Sequence, residues 1–221
     1  MTTLGLIGSG LIGSALARLA VKAGYDVVVS NSRGPETLAD LVAELGPKAS
    51  AGTAREAAER ADLAVVTVPL KAYREVPVAE LAGKVVIDTN NYYPQRDGVM
   101  PELEDGSVTS AELLQAHLPD SHVVKGFNHI QFDHLPEQGQ PSGTDGRRAL
   151  VIAGDDAAAK ATVAAFMDAI GYDAVDIGPL SESWRIQPGT PGYGPRLTRS
   201  EMTEAVAAAQ PATAHAGGFV E

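Results

Sequence analysis

The residues with the clearest chemical content fall within the first 33: Gly8-Ser9-Gly10-Leu11-Ile12-Gly13, then Asn31, Ser32 and Arg33. Glycines spaced G-x-G-x-x-G suit a diphosphate. Gly8 allows a tight turn, Gly10 lets the backbone approach with no Cβ in the way, and Gly13 lets the next helix pack close. Ser9, Leu11 and Ile12 complete the turn, whose N–H groups sit at a helix start that favours negative charge. About 20 residues beyond the first glycine, NAD sites place Asp or Glu on the ribose hydroxyls. Here the chain reads Val28-Val29-Ser30-Asn31-Ser32-Arg33, with no acid. Arg33 is either a solvated loop arginine or, at this strand end, one half of a bidentate pair with a 2′-phosphate, with the Ser32 hydroxyl beside it. The second reading selects NADP over NAD.

Those residues need strand, turn, helix and strand in one unit to be informative. Residues 4–7 are an apolar run. Ile12, Leu16, Leu19 and Ala23 share one helical face, Gly24 suits a helix end, and 27–29 is a second apolar run. Pro35 fits the first turn of a helix over 35–45. Strands are expected at 48–51, 63–68, 85–88 and 123–127, and helices at 53–60, 72–81 and 110–117. Thr53 and Glu56 have capping-box spacing. Residues 133–148 read as a long, weakly packed loop. Beyond it come a strand over 148–153, a helix over 156–170, a strand over 174–177, a loop over 187–195 and a last helix over 197–209. From Pro211 the tail has no periodicity. This predicts an α/β chain: a Rossmann-like doubly wound parallel sheet over 1–132 binding NADP, and a small C-terminal α/β substrate and dimer region over 133–221.

In open α/β sheets the ligand lies beyond the carboxyl ends of the strands. Four such ends matter: 8–13, 67–70, 88–93 and 127–131. Val68 and Pro69 give one of them a rigid floor for a ribose or ring, or Pro69 merely stops the strand. The carboxamide of Asn90 or Asn91 suits a nicotinamide amide, or an ordinary turn. No Tyr-x-x-x-Lys is present, since Tyr92 and Tyr93 precede Arg96 and Asp97 at that spacing, and G-x-S-x-G is missing too. Of His117, His122, His129, His134 and His215, none joins a carboxylate pair at ligand spacing, and no metal is expected. No side chain is assigned a catalytic role. Carbonyl reduction wants a poised proton donor, whereas hydride transfer between two rings needs stacking and distance. The sequence favours ring-to-ring transfer.

The totals set bounds. At 221 residues with 44% hydrophobic content, a sizeable core is available. No apolar stretch approaches the ~20 residues of a membrane span, and a strand at the very start leaves no room for a signal peptide. Zero cysteines exclude disulfides and thiol chemistry. A net charge of −11 opposes nucleic acid or an anionic membrane as partner. A cytoplasmic enzyme is expected.

Several segments together carry a resemblance: IGSGLIGSALA at 7–17, SNSRG at 30–34, TVP at 67–69, DTNNYYP at 88–94, VVKGFNHI at 123–130 and GPLSES at 178–183. The chain resembles the F420-dependent NADP oxidoreductases, also described as NADPH-dependent F420 reductases. The resemblance implies an NADP site at Gly8, Ser9, Gly10, Leu11, Ile12, Gly13, Ser32 and Arg33, and the cofactor contacts expected from the residues themselves add Asn31, Val68, Pro69, Asn90 and Asn91. It implies coenzyme F420, a deazaflavin, as co-substrate near Asn128, His129, Ile130, Ser181 and Ser183, with Ile130 spacing the two rings. A homodimer is expected as well. Rival readings are reduction of a flavin, quinone, imine or metal chelate, and an NADP-sensing protein without turnover.

Overall fold

The computed structural model describes residues 2–211; His215 and most of the tail lie outside them. In chain order the elements are β1 (Thr3–Ile7), α1 (Leu11–Lys22), β2 (Asp26–Ser30), α2 (Ala39–Leu45), β3 (Ala49–Ala51), α3 (Ala54–Arg60), β4 (Leu63–Val66) and β5 (Val85–Asp88). Then follow α4 (Pro94–Asp97), α5 (Pro101–Glu104), α6 (Ser110–His117), β6 (His122–Lys125), α7 (His134–Glu137), β7 (Ala149–Gly154), α8 (Ala157–Ala169), β8 (Asp173–Asp176) and α9 (Arg199–Ala208).

The eight strands form one sheet in the order β3-β2-β1-β4-β5-β6-β7-β8. From β3 to β6 every pair is parallel. Strand alternation feeds two cores. Leu4, Leu6, Val27, Val29, Val65 and Ile87 face the side covered by α1 and α8. Ala64, Val66, Val86 and Val123 face the side covered by α6. Burial on both faces explains why these strands read as continuous apolar runs. The order reverses between β1 and β4, and that switch point opens a crevice at the carboxyl ends.

One pair departs from the all-parallel expectation. β7 runs antiparallel to β6, with Lys125 opposite Ala153. A parallel neighbour needs a crossover, usually a helix, and the chain between β6 and β7 contributes only the four-residue α7. β7, α8 and β8 then form an ordinary parallel unit. The C-terminal piece therefore continues the same sheet, and Phe166, Met167 and Tyr172 pack with Leu16 and Phe127 in one core.

Three local expectations are corrected. Residues 72–81 do not form one helix, but two 3₁₀ turns, Leu70–Glu75 and Ala79–Leu81. Pro77 forces the extended backbone of Val76 between them. The strand expected over 123–127 ends at Lys125, because Phe127 turns left-handed at φ 61°. The 133–148 loop is not weakly held. Leu135 is buried in the core, and Arg147, 3% exposed, bonds Asp168, Asp173 and the carbonyls of Gln140 and Gly171.

Candidate functional site

The glycine elbow has the predicted form. Gly8 sits at φ 104°, and a Cβ there would lie 2.2 Å from the Thr67 carbonyl oxygen. A Cβ on Gly13 would lie 2.4 Å from the Gly8 carbonyl oxygen, so α1 can approach the turn only through glycine. A Cβ on Gly10 would meet no neighbouring atom within 4 Å, so this face of the turn borders open space.

The start of α1 differs chemically from the other helix starts. Gly10 supplies no side-chain cap, and the first turn holds no acid. By contrast α3, α6 and α9 each begin with a full capping box, at Thr53/Glu56, Thr109/Glu112 and Thr198/Glu201. The first N–H groups of α1 are left for an anion.

The end of β2 lies beside this elbow. The Gly8 amide donates to the Ser30 carbonyl at 3.2 Å, and the Ser9 hydroxyl donates to the same oxygen at 2.8 Å. Beyond Ser30 the loop braces itself. The Arg33 amide donates to Asn31 Oδ1, Asn31 Nδ2 donates to the Thr37 hydroxyl, and that hydroxyl donates to the Gly34 carbonyl. Pro35 stands at the first position of a 3₁₀ turn. Asn31 thus shapes the loop, while Ser32 and Arg33 project to solvent. Among the described residues the Arg33 guanidinium has no hydrogen-bond or ion-pair partner.

Next to the elbow a cleft of about 610 Å³ is lined by Gly10, Leu11, Ile12, Val68, Pro69, Asn90, Asn91, Asn128, His129 and Ile130. Most residues singled out in sequence therefore meet here. Asn90 is 3% exposed and accepts from the Val68 amide through Oδ1, while its Nδ2 has no partner. An orphaned buried donor costs about 1–3 kcal/mol, and a carboxamide or ribose oxygen would satisfy it. Together with the uncapped α1 and the space over Gly10, this donor set fits a nicotinamide dinucleotide.

Ser181 and Ser183 lie elsewhere. They line a neighbouring cavity of about 550 Å³, with Lys125 and Trp184 among its other residues. Asn91, Tyr93 and Asn128 form the wall common to both spaces.

That wall is wired from side chain to side chain. Asn128 Nδ2 donates to Asn91 Oδ1 and to the Ile186 carbonyl. Asn91 Nδ2 donates to the Asn128 carbonyl and to Tyr193 Oη. His129 Nε2 accepts the Val151 amide, so Nδ1 carries the proton and donates to Asn128 Oδ1. Burial above all, then the charges of Arg148 and Lys125, hold the His129 pKa down at about 3. His129 is thus a neutral support and not an acid. Phe127 pays for this placement with left-handed backbone, a strain of about 1–3 kcal/mol that its ring offsets by packing against Phe166.

Three further features escaped the sequence reading. Buried Lys125 bonds Asp88 Oδ2 at 3.0 Å and also the Asn90 carbonyl, while Asp88 Oδ1 accepts the Asn90 amide. The ion pair thus grips Asn90 at both ends of its backbone. Tyr93 and Tyr193 line the first cleft with their hydroxyl oxygens 2.6 Å apart. Buried Arg148 donates to the carbonyls of Gly194 and Pro195, fixing the loop that carries Tyr193. Tyr93 stands in the DTNNYYP segment, one of those that carry the resemblance. Tyr193 follows 100 residues later and has no local signal.

Comparison with known proteins follows the same lines. The sequence model of the family described as "NADP oxidoreductase coenzyme F420-dependent" matches residues 3–92. Metalloreductase STEAP3 of Rattus norvegicus is 31% identical over 186 residues, which are 83% of this chain and 35% of the rat protein. The chain spans about a third of the length of the curated relatives it matches. The crystal structure of hypothetical protein SMa0349 from Sinorhizobium meliloti is 30% identical with a TM-score of 0.74, covering 89% of this chain and 93% of that one. A candidate F420-dependent NADP reductase from Arthrobacter sp. FB24 is 25% identical with a TM-score of 0.69, covering 83% and 87%. The uncapped glycine elbow lies within residues 3–92, the part of this chain that matches the family described as coenzyme F420-dependent NADP oxidoreductase, and the Arthrobacter structure extends the likeness over most of the chain.

Proposed function

We propose that the chain passes a hydride directly between NADP(H) and the deazaflavin coenzyme F420. The elbow at Gly8–Gly13 holds the diphosphate, Ser32 and Arg33 hold the 2′-phosphate, and Asn90 orients the nicotinamide amide. When bound, the nicotinamide supplies the hydride. Val68 and Pro69 floor its side of the cleft, and Ile130 sets the depth at which an acceptor can lie.

The observation that carries this reading is the mouth of the cleft. Leu11 and Phe132 flank it, 64% and 43% exposed, over a floor containing Ile130. Exposed apolar side chains at a cleft rim suit a flat, largely apolar ring that covers them. Mixing the pure protein with NADPH and oxidised F420 tests it. Bleaching of the deazaflavin's visible band is expected; an unchanged band rejects this acceptor.

A second reading, reduction of a metal chelate, is favoured by the match to Metalloreductase STEAP3 over 83% of this chain. NADPH oxidation measured against a panel of F420, flavin, quinone, imine and ferric chelate separates the acceptors. Tight NADPH binding with no oxidation by any of them would mark an NADP-sensing protein. The proposed enzyme is a cytoplasmic homodimer without nucleic-acid or membrane partners, and light scattering of the pure protein tests the dimer. Among the described residues, no helix is long and apolar enough to cross a membrane.

A further inference from the structure

Hydride transfer leaves the acceptor one proton short, and the cleft contains a group built to supply it. The geometry points to Tyr93 as the proton donor of this cleft, with Tyr193 and Asn91 set behind it. The inference rests on the reading of the chain as an NADPH-dependent reductase.

The chain of hydrogen bonds has a direction. Asn91 Nδ2 is fixed as a donor, because Asn91 Oδ1 accepts from Asn128. It donates to Tyr193 Oη at 3.1 Å. The Tyr193 and Tyr93 hydroxyl oxygens lie 2.6 Å apart, and Tyr193, whose oxygen already accepts from Asn91, is taken as the donor of that pair. Donors in series strengthen one another, and here the series ends on the Tyr93 oxygen. Tyr93 keeps its own hydrogen for the cleft that it lines. Burial, and then the hydrogen bond with Tyr93, push the Tyr193 pKa up, so its proton stays in place.

The site is also prepared for the charge the transfer leaves. The Arg96 guanidinium lies 4.9 Å from the centre of the Tyr93 ring, held there by Asp97 and by the Asn91 carbonyl. A phenolate at Tyr93 would face a donated O–H and lie beside a cation, both in position beforehand. The balance is simple. The hydride carries two electrons from the reduced nicotinamide to an electrophilic carbon of the acceptor. The Tyr93 O–H bond breaks, and an N–H or O–H bond forms on the acceptor's conjugated heteroatom. Water at the open cleft returns a proton to Tyr93.

The test compares Tyr93→Phe and Tyr193→Phe with the wild-type chain. Calorimetry with NADP+ should give unchanged affinity for both variants, since neither hydroxyl is assigned to the cofactor. With F420, kcat should fall on the order of 10²-fold in Tyr93→Phe, less in Tyr193→Phe, with little change in KM. The solvent deuterium isotope effect of the wild type should be altered in Tyr93→Phe, and added phenol should restore part of the rate. Wild-type kcat in Tyr93→Phe overturns the inference, as does a parallel loss of NADP+ affinity and rate that Tyr193→Phe shares. If the wild type ignores F420 but reduces another acceptor, the deazaflavin reading falls alone and the same comparison is made with that acceptor. Failure of every acceptor in the panel to oxidise NADPH overturns both.

Discussion

The two ends of the crevice are built by opposite means. At the diphosphate end the backbone does the work: Gly8 and Gly13 are held by steric necessity, and the side chains of Ser32 and Arg33 project into solvent. At the other end side chains do it: Asn91, Asn128, His129, Tyr93 and Tyr193 bond one another in a part-buried network. The first end can be shaped by a contiguous motif because its constraints are local. The second joins β5, β6 and the 193–195 loop, and it depends on tertiary packing. An exposed cation can select a charged group at little cost to the fold. A buried polar wall fixes geometry, but any broken member leaves its partners orphaned.

This contrast predicts where acid should act first. His129 is held neutral, with a folded pKa of about 3 against 6.5 when unfolded. The folded state then binds fewer protons than the unfolded state between those values. Stability rises with pH across that window and is lost as pH falls from about 6.5 to 3. The total is about 4–5 kcal/mol, accumulating at about 1.4 kcal/mol per pH unit. Denaturant titrations at a series of pH values should show this slope in the wild type. In His129→Gln it should be missing, against a lower starting stability. Equal slopes would remove His129 from the wall.

The elbow should break differently. Gly13→Ala places a Cβ against the Gly8 carbonyl oxygen and the Thr67 methyl. Overpacking of this kind costs about 1–3 kcal/mol. The midpoint of chemical denaturation should fall accordingly, and NADP+ affinity should fall with it as the turn shifts. Unchanged affinity would mean that the diphosphate does not use the elbow. The smallest effect belongs to the exposed loop. Ser32→Ala removes one hydroxyl and should weaken NADP+ binding by about 0.5–1.5 kcal/mol while leaving stability unchanged. A measurable loss of stability would show that Ser32 belongs to the fold.

The same contrast explains what could be read in the sequence. Strand, glycine turn, helix and strand were legible because each constraint falls within a few residues, and the capping box at Thr53 and Glu56 forms as its spacing requires. The antiparallel β7 was not, since strand direction depends on where a long connection returns. The break at Pro77 was available in the sequence, because proline lacks an N–H and keeps the residue before it extended. Ser181 and Ser183 were expected beside Ile130, yet the Asn91–Asn128 wall divides them from it. Sequence separation hides such walls: Tyr93 has meaning only once Tyr193 is placed against it.

The central claim is that the free guanidinium at the end of β2 chooses the cofactor. Calorimetry of the wild type and Arg33→Ala with NADP+ and NAD+ tests it most directly. The wild type should prefer NADP+, and Arg33→Ala should lose about 1.5–3 kcal/mol, roughly 10- to 100-fold, on NADP+ alone. Equal affinity of the wild type for the two nucleotides, or an Arg33→Ala variant that binds NADP+ as the wild type does, would contradict the account.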